Sequence, residues 1–340
     1  MTTTMATSTK AQETDPVAAA AERAARFLPA AEWAAIEPLV AEIWALKAAR
    51  RAVILAHNYM TPDIFHTVAD VQGDSLRLAE AGAASEADVI VMAGVHFMAE
   101  TAKILSPGKT VLIPDLRAGC SLASSITADD IARLRAQHPG APVVTYVNTT
   151  AAVKAASDVC CTSANAVQVV ESLGATKVLL LPDRFLAANV ARHTGVEIVT
   201  WVAGACEVHE RFTGAQVRQL RADHDDVRII AHPECPPDVA AEADFVGSTT
   251  GMARFIETSG ARRVALITEC SMADNLAVTH PEVAFVRPCN LCPHMKRITL
   301  HNLRDALRDG RHEVHVDAGV IAGARSALER MLAVGRTAGA

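Results

Sequence analysis

Gly119-Cys120-Ser121-Leu122-Ala123-Ser124-Ser125-Ile126-Thr127 has two counterparts later in the chain, ending at Phe212-Thr213 and Ile298-Thr299. The cysteines of the three stretches, Cys120, Cys206 and Cys292, are separated by the same 86 residues. Eight cysteines make many triples, so equal spacing alone is weak evidence, and the shared surroundings carry the weight. Each Thr stands where a helix N-cap belongs. Thr213 has Gln216 behind it, the pattern of a capping box. Four positions after each Thr comes Ile131, Val217 or Leu303, apolar and placed to face a core from the first turns of a helix. Upstream, Val111-Leu112-Ile113, Ile198-Val199 and Val283-Ala284-Phe285 are short and apolar enough to be buried strands.

The period extends backwards from the cysteines. Each unit opens with a strand that ends in polar residues: Ala52 to Ala56 before His57-Asn58-Tyr59, Val143 to Thr145 before Tyr146-Val147-Asn148, and Val227 to Ala231 before His232-Pro233-Glu234. A turn carrying a hydroxyl follows, at Gly73-Asp74-Ser75, Thr162-Ser163 and Gly247-Ser248-Thr249, each expected to start a helix. The helices close on Gly82-Ala83, Gly174-Ala175 and Gly260-Ala261, with Gly where a left-handed C-cap is favoured. Second strands are expected at 88–92, 177–181 and 263–267, and further helices open at Phe97-Met98, Phe185-Leu186 and Ser271-Met272.

Apolar strands alternating with helices describe a parallel sheet covered on both faces. The expected fold is therefore α/β: three pseudo-symmetric three-layer αβα domains with parallel sheets around a central cavity. The units are placed at 51–136, 137–222 and 223–309. Residues 1–50 supply a Thr-rich polar tail, disordered to about residue 14, and one or two Ala-rich helices broken near Pro29 or Pro38. Residues 310–340 supply a strand near Glu313–Val316 and a helix that packs on the first unit.

No apolar run approaches the roughly 20 residues of a membrane span, and no basic segment followed by an apolar one opens the chain. A cytoplasmic protein is expected, whose cysteines are thiols or metal ligands rather than disulfides. A net charge of -6, without a basic aromatic stripe, argues against nucleic acid.

Three similar units around an approximate threefold axis bring equivalent loops together, and open parallel sheets present those loops at the carboxyl ends of their strands. Three thiolates then meet. They suit a [4Fe-4S] cluster with one iron lacking a protein ligand, or a zinc ion with an open position. An open metal polarises a carbonyl or hydroxyl, which suits loss of water from a small hydroxy acid. Ser75, Ser163 and Thr249 at helix starts favour an anion. His232 and Glu234 on one turn form an acid–base pair, whereas His57 alone reads as a structural hydrogen-bonder and Met98 and Met272 as cavity wall. Cys160, Cys161, Cys235 and Cys270 read as structural thiols. Cys289 forms Cys-x-x-Cys with Cys292 and is a candidate redox modulator of it.

Over roughly residues 50 to 310 the chain resembles bacterial quinolinate synthases. The motifs are Ala56-His57-Asn58-Tyr59, Gly73-Asp74-Ser75-Leu76, Gly94-Val95-His96-Phe97-Met98-Ala99-Glu100, Gly119-Cys120-Ser121-Leu122-Ala123, Tyr146-Val147-Asn148-Thr149, Cys161-Thr162-Ser163-Ala164-Asn165-Ala166, His232-Pro233-Glu234-Cys235 and Cys292-Pro293-His294-Met295. The resemblance implies an enzyme of NAD biosynthesis that condenses iminoaspartate with dihydroxyacetone phosphate, releasing phosphate and water. It also implies a functional link to the enzyme that makes iminoaspartate. Carried over motif by motif, Cys120, Cys206 and Cys292 hold a [4Fe-4S] cluster. His57, Ser75, Tyr146, Asn148, Ser163, His232, Glu234 and Thr249 contact substrate. Tyr59 assists proton movement, with His232 and Glu234 as further catalytic residues. Some relatives carry another Cys where this chain has Val286, so the redox role inferred from that fuller motif is not carried over. A hydro-lyase acting on another small hydroxy acid, a zinc enzyme and a non-catalytic iron-sulfur sensor are the competing readings.

Overall fold

The computed structural model describes residues 15–337, so the expected disorder of residues 1–14 lies outside the described residues. Helices α1 (Pro16–Ala24) and α2 (Ala30–Arg50) come first; the break falls at Pro29, and Pro38 is absorbed inside α2. The first unit contains β1 (Ala52–His57), α3 (Pro62–Thr67), β2 (Val71–Gly73), α4 (Ser75–Ala84), β3 (Val89–Ala93), α5 (His96–Leu105), β4 (Thr110–Leu112), α6 (Ser121–Ser124) and α7 (Ala128–Gln137). The second contains β5 (Val143–Tyr146), α8 (Ala151–Ala155), β6 (Val159–Cys161), α9 (Ala166–Ser172), β7 (Lys177–Leu181), α10 (Arg184–Ala191), β8 (Glu197–Thr200) and α11 (Gly214–Asp223). The third contains β9 (Arg228–Ala231), α12 (Pro237–Glu242), β10 (Phe245–Val246), α13 (Thr249–Ser259), β11 (Arg263–Ile267), α14 (Cys270–Thr279), β12 (Ala284–Val286) and α15 (Leu300–Asp309), and α16 (Ala318–Thr337) ends the chain.

Each unit is a four-stranded parallel sheet of the same order, β2-β1-β3-β4, β6-β5-β7-β8 and β10-β9-β11-β12. The α/β architecture expected from the sequence is thus present three times. The sequence pattern supplied three strands per unit; the additional ones, β2, β6 and β10, are too short to carry a hydrophobic period. What pairs them is an aspartate. The carboxylates of Asp70, Asp158 and Asp244 accept hydrogen bonds from the backbone N–H of Ile54, Val143 and Ile229 at 2.7–2.8 Å. The backbone N–H of each Asp returns a bond to the carbonyl of the same partner. The first strand of every sheet is thereby locked in register with the short strand beside it.

Thr127, Thr213 and Thr299 cap α7, α11 and α15, each in a reciprocal capping box, with Asp130, Gln216 and Asn302 as partners. Ile131, Val217 and Leu303 are fully buried, but not against their own sheets. Ile126 and Ile131 cluster with Val143 and Leu179 of the second unit, and Phe212 and Val217 with Ile229 and Ile267 of the third. Leu303 and Leu307 join Ile54 and Ile90 of the first. Each unit's last helix therefore covers the next sheet, and the third returns to the first. Burying a large aliphatic side chain contributes about 1.5–3 kcal/mol, so this cyclic exchange binds the units into one ring.

One local expectation is corrected. Gly82 lies inside α4 rather than at its end and packs near Leu55 and Ile90, whereas Gly174 and Gly260 do adopt the left-handed conformation. The tail joins the first unit through a bridge from Glu313 to Leu112, the Lys103–Glu313 ion pair and a bond from Arg325 to the Leu105 carbonyl, and α16 also lies on α8 and β6 of the second. Gly323 permits the approach, because a Cβ there would sit 3.0 Å from the Ala155 carbonyl oxygen.

Candidate active site

In each sheet the chain changes direction between its first and second long strands, and the crevice at their carboxyl ends is where such sheets bind ligands. The polar ends of β1, β5 and β9 point into one shared cavity. His57, Tyr59, Tyr146, Asn148, His232 and Glu234 line it, together with Ser75, Ser163, Thr249, Cys120, Cys206 and Cys292. Residues 235 positions apart in sequence, His57 and Cys292, thus face the same space.

Two of the hydroxyl turns have the expected form. Ser75 is the first residue of α4 behind the N-cap Asp74, and Thr249 the first of α13 behind the N-cap Ser248. Thr249 Oγ1 accepts a bond from Asn58 Nδ2 at 2.8 Å. Ser163 differs: it sits in a turn that Asn165 closes by accepting from the Thr162 N–H, so its hydroxyl reaches the cavity without a helix start behind it.

Glu234 is the charged centre of the cavity and is almost wholly buried. Its Oε1 accepts hydrogen bonds from the Tyr146 hydroxyl and from Asn148 Nδ2. Its Oε2 lies 2.8 Å from His209 Nδ1, out of line for a good hydrogen bond, and 3.9 Å from His232 Nδ1. Burial by itself raises a carboxyl pKa; the facing imidazoles and the Tyr146 hydroxyl outweigh it, and Glu234 is held well below the usual carboxylate range. Burial lowers His57 to about 4 and His232 to about 3, so both are neutral at neutral pH. Burial and the Glu234 charge push the Tyr59 and Tyr146 hydroxyls well above their ordinary values, keeping both protonated.

His209, Thr268, Glu269 and Lys296 are parts of the site that motif reading did not single out. His209 stacks on His232 with ring centroids 4.7 Å apart, and its Nε2 lies 2.9 Å from Thr268 Oγ1, itself 2.6 Å from the Tyr59 hydroxyl. A hydrogen-bonding path therefore runs from Tyr59 through Thr268 to His209, with Glu234 beyond. A signal for His209 existed: three positions after the cysteines stand Ala123, His209 and Met295, and only one of these carries chemistry. Glu269 accepts from the Cys292 N–H at 3.3 Å and from Lys296 Nζ at 2.9 Å, and Lys296 donates to the Tyr59 carbonyl at 2.7 Å. This pair, a buried carboxylate with a half-buried lysine, ties the Cys292 loop to the Tyr59 loop.

A family profile described as "Quinolinate synthetase A protein" (NadA) matches residues 41–333, which include all three sheets and every residue of this cavity. The chain is 62% identical over 313 residues to "Quinolinate synthase 2" of Mesorhizobium japonicum, covering 92% of this chain and 96% of that one. It is 62% identical to the quinolinate synthase of Agrobacterium fabrum over 92% of this chain and 90% of that one. With the Xylella fastidiosa quinolinate synthase it shares 63% identity over 86% of each chain. The chain belongs to the quinolinate synthase family.

Within this quinolinate synthase fold the cysteines divide by position. Cys120, Cys206 and Cys292 reach the cavity, whereas Cys160, Cys161 and Cys235 are fully enclosed in the protein interior. Cys289 is not partnered with Cys292. It forms a disulfide with Cys270, the first residue of α14, their Cα atoms 5.1 Å apart, which corrects both the Cys-x-x-Cys pairing and the expectation of thiols throughout. Burial pushes Cys120 up to about 12 and raises Cys206 and Cys292 as well, so these thiols ionise only when a positive partner is supplied.

The donor set also bears on the size of that partner. A tetrahedral zinc ion with bonds of about 2.3 Å holds its sulfurs roughly 3.8 Å apart. Among the described residues, the donor atoms lying within 4.8 Å of one another are those of Cys206, His209 and Glu234; the three thiols do not form such a set. Three thiols spread round one cavity fit a polynuclear group better than a single ion. Among the described residues, no helix is long and apolar enough to cross a membrane.

Proposed function

We propose that the chain makes quinolinate by condensing iminoaspartate with dihydroxyacetone phosphate, releasing phosphate and water. The observation that carries this reading is the meeting of three thiols and a buried acid–base network in one cavity of a quinolinate synthase fold. Cys120, Cys206 and Cys292 are the residues that would hold a [4Fe-4S] cluster. When bound, such a cluster offers one iron without a protein ligand, a Lewis acid for a substrate oxygen.

The remaining chemistry belongs to the side chains. Both substrates are anionic, and the N-termini of α4 and α13, with the hydroxyls of Ser75, Ser163 and Thr249, offset their mutual repulsion. Asn148 and neutral His57 orient polar groups of the substrates. Glu234 is ionised and takes a proton, and His232, neutral and close by, serves as a second acceptor. The Tyr59 hydroxyl holds a proton, and the path through Thr268 to His209 lets that proton be replaced after use by transfer along hydrogen bonds. Tyr146 keeps the Glu234 carboxylate oriented by donating to Oε1.

We place the enzyme in the cytoplasm, close to the enzyme that makes iminoaspartate, because water hydrolyses an imine. The test is to prepare the protein without oxygen, measure iron and sulfide, and supply iminoaspartate generated in the assay with dihydroxyacetone phosphate. Quinolinate is the expected product. Cluster-loaded protein that makes none, yet dehydrates another small hydroxy acid, would establish the hydro-lyase reading instead.

A further inference from the structure

The three cysteine loops are joined to one another by contacts that the proposed chemistry leaves unused. Ser121, the residue after Cys120, accepts a hydrogen bond from the Glu207 N–H and donates one to the Ala205 carbonyl, both at 3.2 Å, and so grips the second loop on either side of Cys206. Glu207, the residue after Cys206, places Oε1 3.0 Å from Nε2 of His294, two positions after Cys292. A bond from Asn290 Nδ2 to the Val208 carbonyl, 3.2 Å, runs alongside. The His294 ring in turn lies on Gly119, the residue before Cys120, where an added Cβ would sit 3.6 Å from Cε1 and Nδ1. Loop one holds loop two, loop two holds loop three, and loop three rests on loop one.

These contacts stand at the solvent end of the cavity. The exposed large apolar residues Leu116, Val202 and Leu291, at 52%, 78% and 53%, are carried on the same three loops. Glu207 and His294 are partly exposed, at 29% and 28%, whereas Glu234 and His232 deeper in the cavity are buried. The pair therefore lies between solvent and the thiols.

We propose that Glu207 and His294 form a clasp that closes the outer side of the cysteine-lined cavity and governs how readily reagents reach, and metal leaves, Cys120, Cys206 and Cys292. The metal-retention half rests on the cluster reading; the thiol-access half holds for protein without metal.

The experiment begins with metal-free protein, alkylated with iodoacetamide and followed cysteine by cysteine by peptide mass spectrometry. Glu207→Ala and His294→Ala are each expected to raise the rate at Cys120, Cys206 and Cys292 about fivefold, the weight of one partly exposed polar side-chain contact. The double variant reacts no faster than either single one, because both remove the same link. Glu207→Gln, which keeps an acceptor for His294, restores most of the protection. Cys160, Cys161 and Cys235 stay unreactive and so report that the change is local. In cluster-loaded protein, the same alanine variants lose the visible absorption about fivefold faster in the presence of a chelator. Unchanged rates at the three cavity cysteines, additive effects in the double variant, or a parallel rise at the enclosed cysteines would overturn the clasp. Wild-type protein that takes up neither iron nor sulfide would instead sink the cluster reading, and the alkylation rates would still decide the clasp.

Discussion

His209 Nδ1 stands 2.8 Å from Glu234 Oε2, a contact between the second unit and the third that places an imidazole against a buried carboxylate. Taking the charge from Glu234 while keeping its shape isolates what that carboxylate does. Glu234→Gln is expected to lower kcat by about 10²–10³, the range of a positioned general base, with iron content per chain unchanged. Anaerobic quinolinate assays beside iron analysis check this, and retention of more than a tenth of the activity would remove Glu234 from the acid–base role.

Tyr59, Thr268 and His209 act as a chain of hydroxyl and imidazole, so their losses should not add. Tyr59→Phe and Thr268→Val are each expected to cost about 10- to 100-fold in kcat, and the double variant little more than the worse single one. Losses that multiply would show that the two hydroxyls work independently.

The cavity cysteines and the enclosed ones should separate cleanly. Cys120→Ala, Cys206→Ala and Cys292→Ala are each expected to abolish cluster binding and activity, whereas Cys160→Ala keeps both. Iron and sulfide analysis with activity provides the check, and full activity in any of the first three contradicts the ligand assignment.

Burial lowers His57 and His66 to about 4 and His232 to about 3. Below the ordinary histidine value of 6.5 the unfolded chain takes up protons that the fold refuses, so stability falls with pH from about 6.5 towards 4. Each histidine contributes about 1.4 kcal/mol per pH unit at most in that window. Urea unfolding across it measures the slope, and His66→Gln, which lies outside the cavity, should flatten it. An unaltered slope in that variant would contradict the assignment of His66 as a buried neutral group.

Cys289 meets Cys270 because the loop after β12 crosses the start of α14, where Glu269 bridges to Asn290. Peptide mapping of non-reduced protein is expected to recover Cys270 linked to Cys289 and Cys292 free. A Cys289–Cys292 link would overturn the pairing.

Much of this fold is local chemistry repeated three times. A Thr cap, an apolar strand or a left-handed glycine is set by neighbours a few residues away, and Thr127, Thr213 and Thr299 were legible for that reason. The strands β2, β6 and β10 were not, since two or three residues carry no period and their pairing depends on an aspartate reaching the next strand. Among the site residues, those ending long strands stood out, while Thr268 and Glu269 carry no signal until their partners are beside them.

By itself the sequence determined three α/β units, their long strands and caps, and the trio of cysteines that recurs with them. Only the tertiary structure decided which sheet each capped helix covers, that His209 faces Glu234, and that Cys289 pairs with Cys270 rather than with its neighbour Cys292. Local elements follow from short-range sterics and hydrogen bonding along one stretch of chain. Contacts between units depend on how whole sheets and helices pack, and no spacing along the chain encodes that.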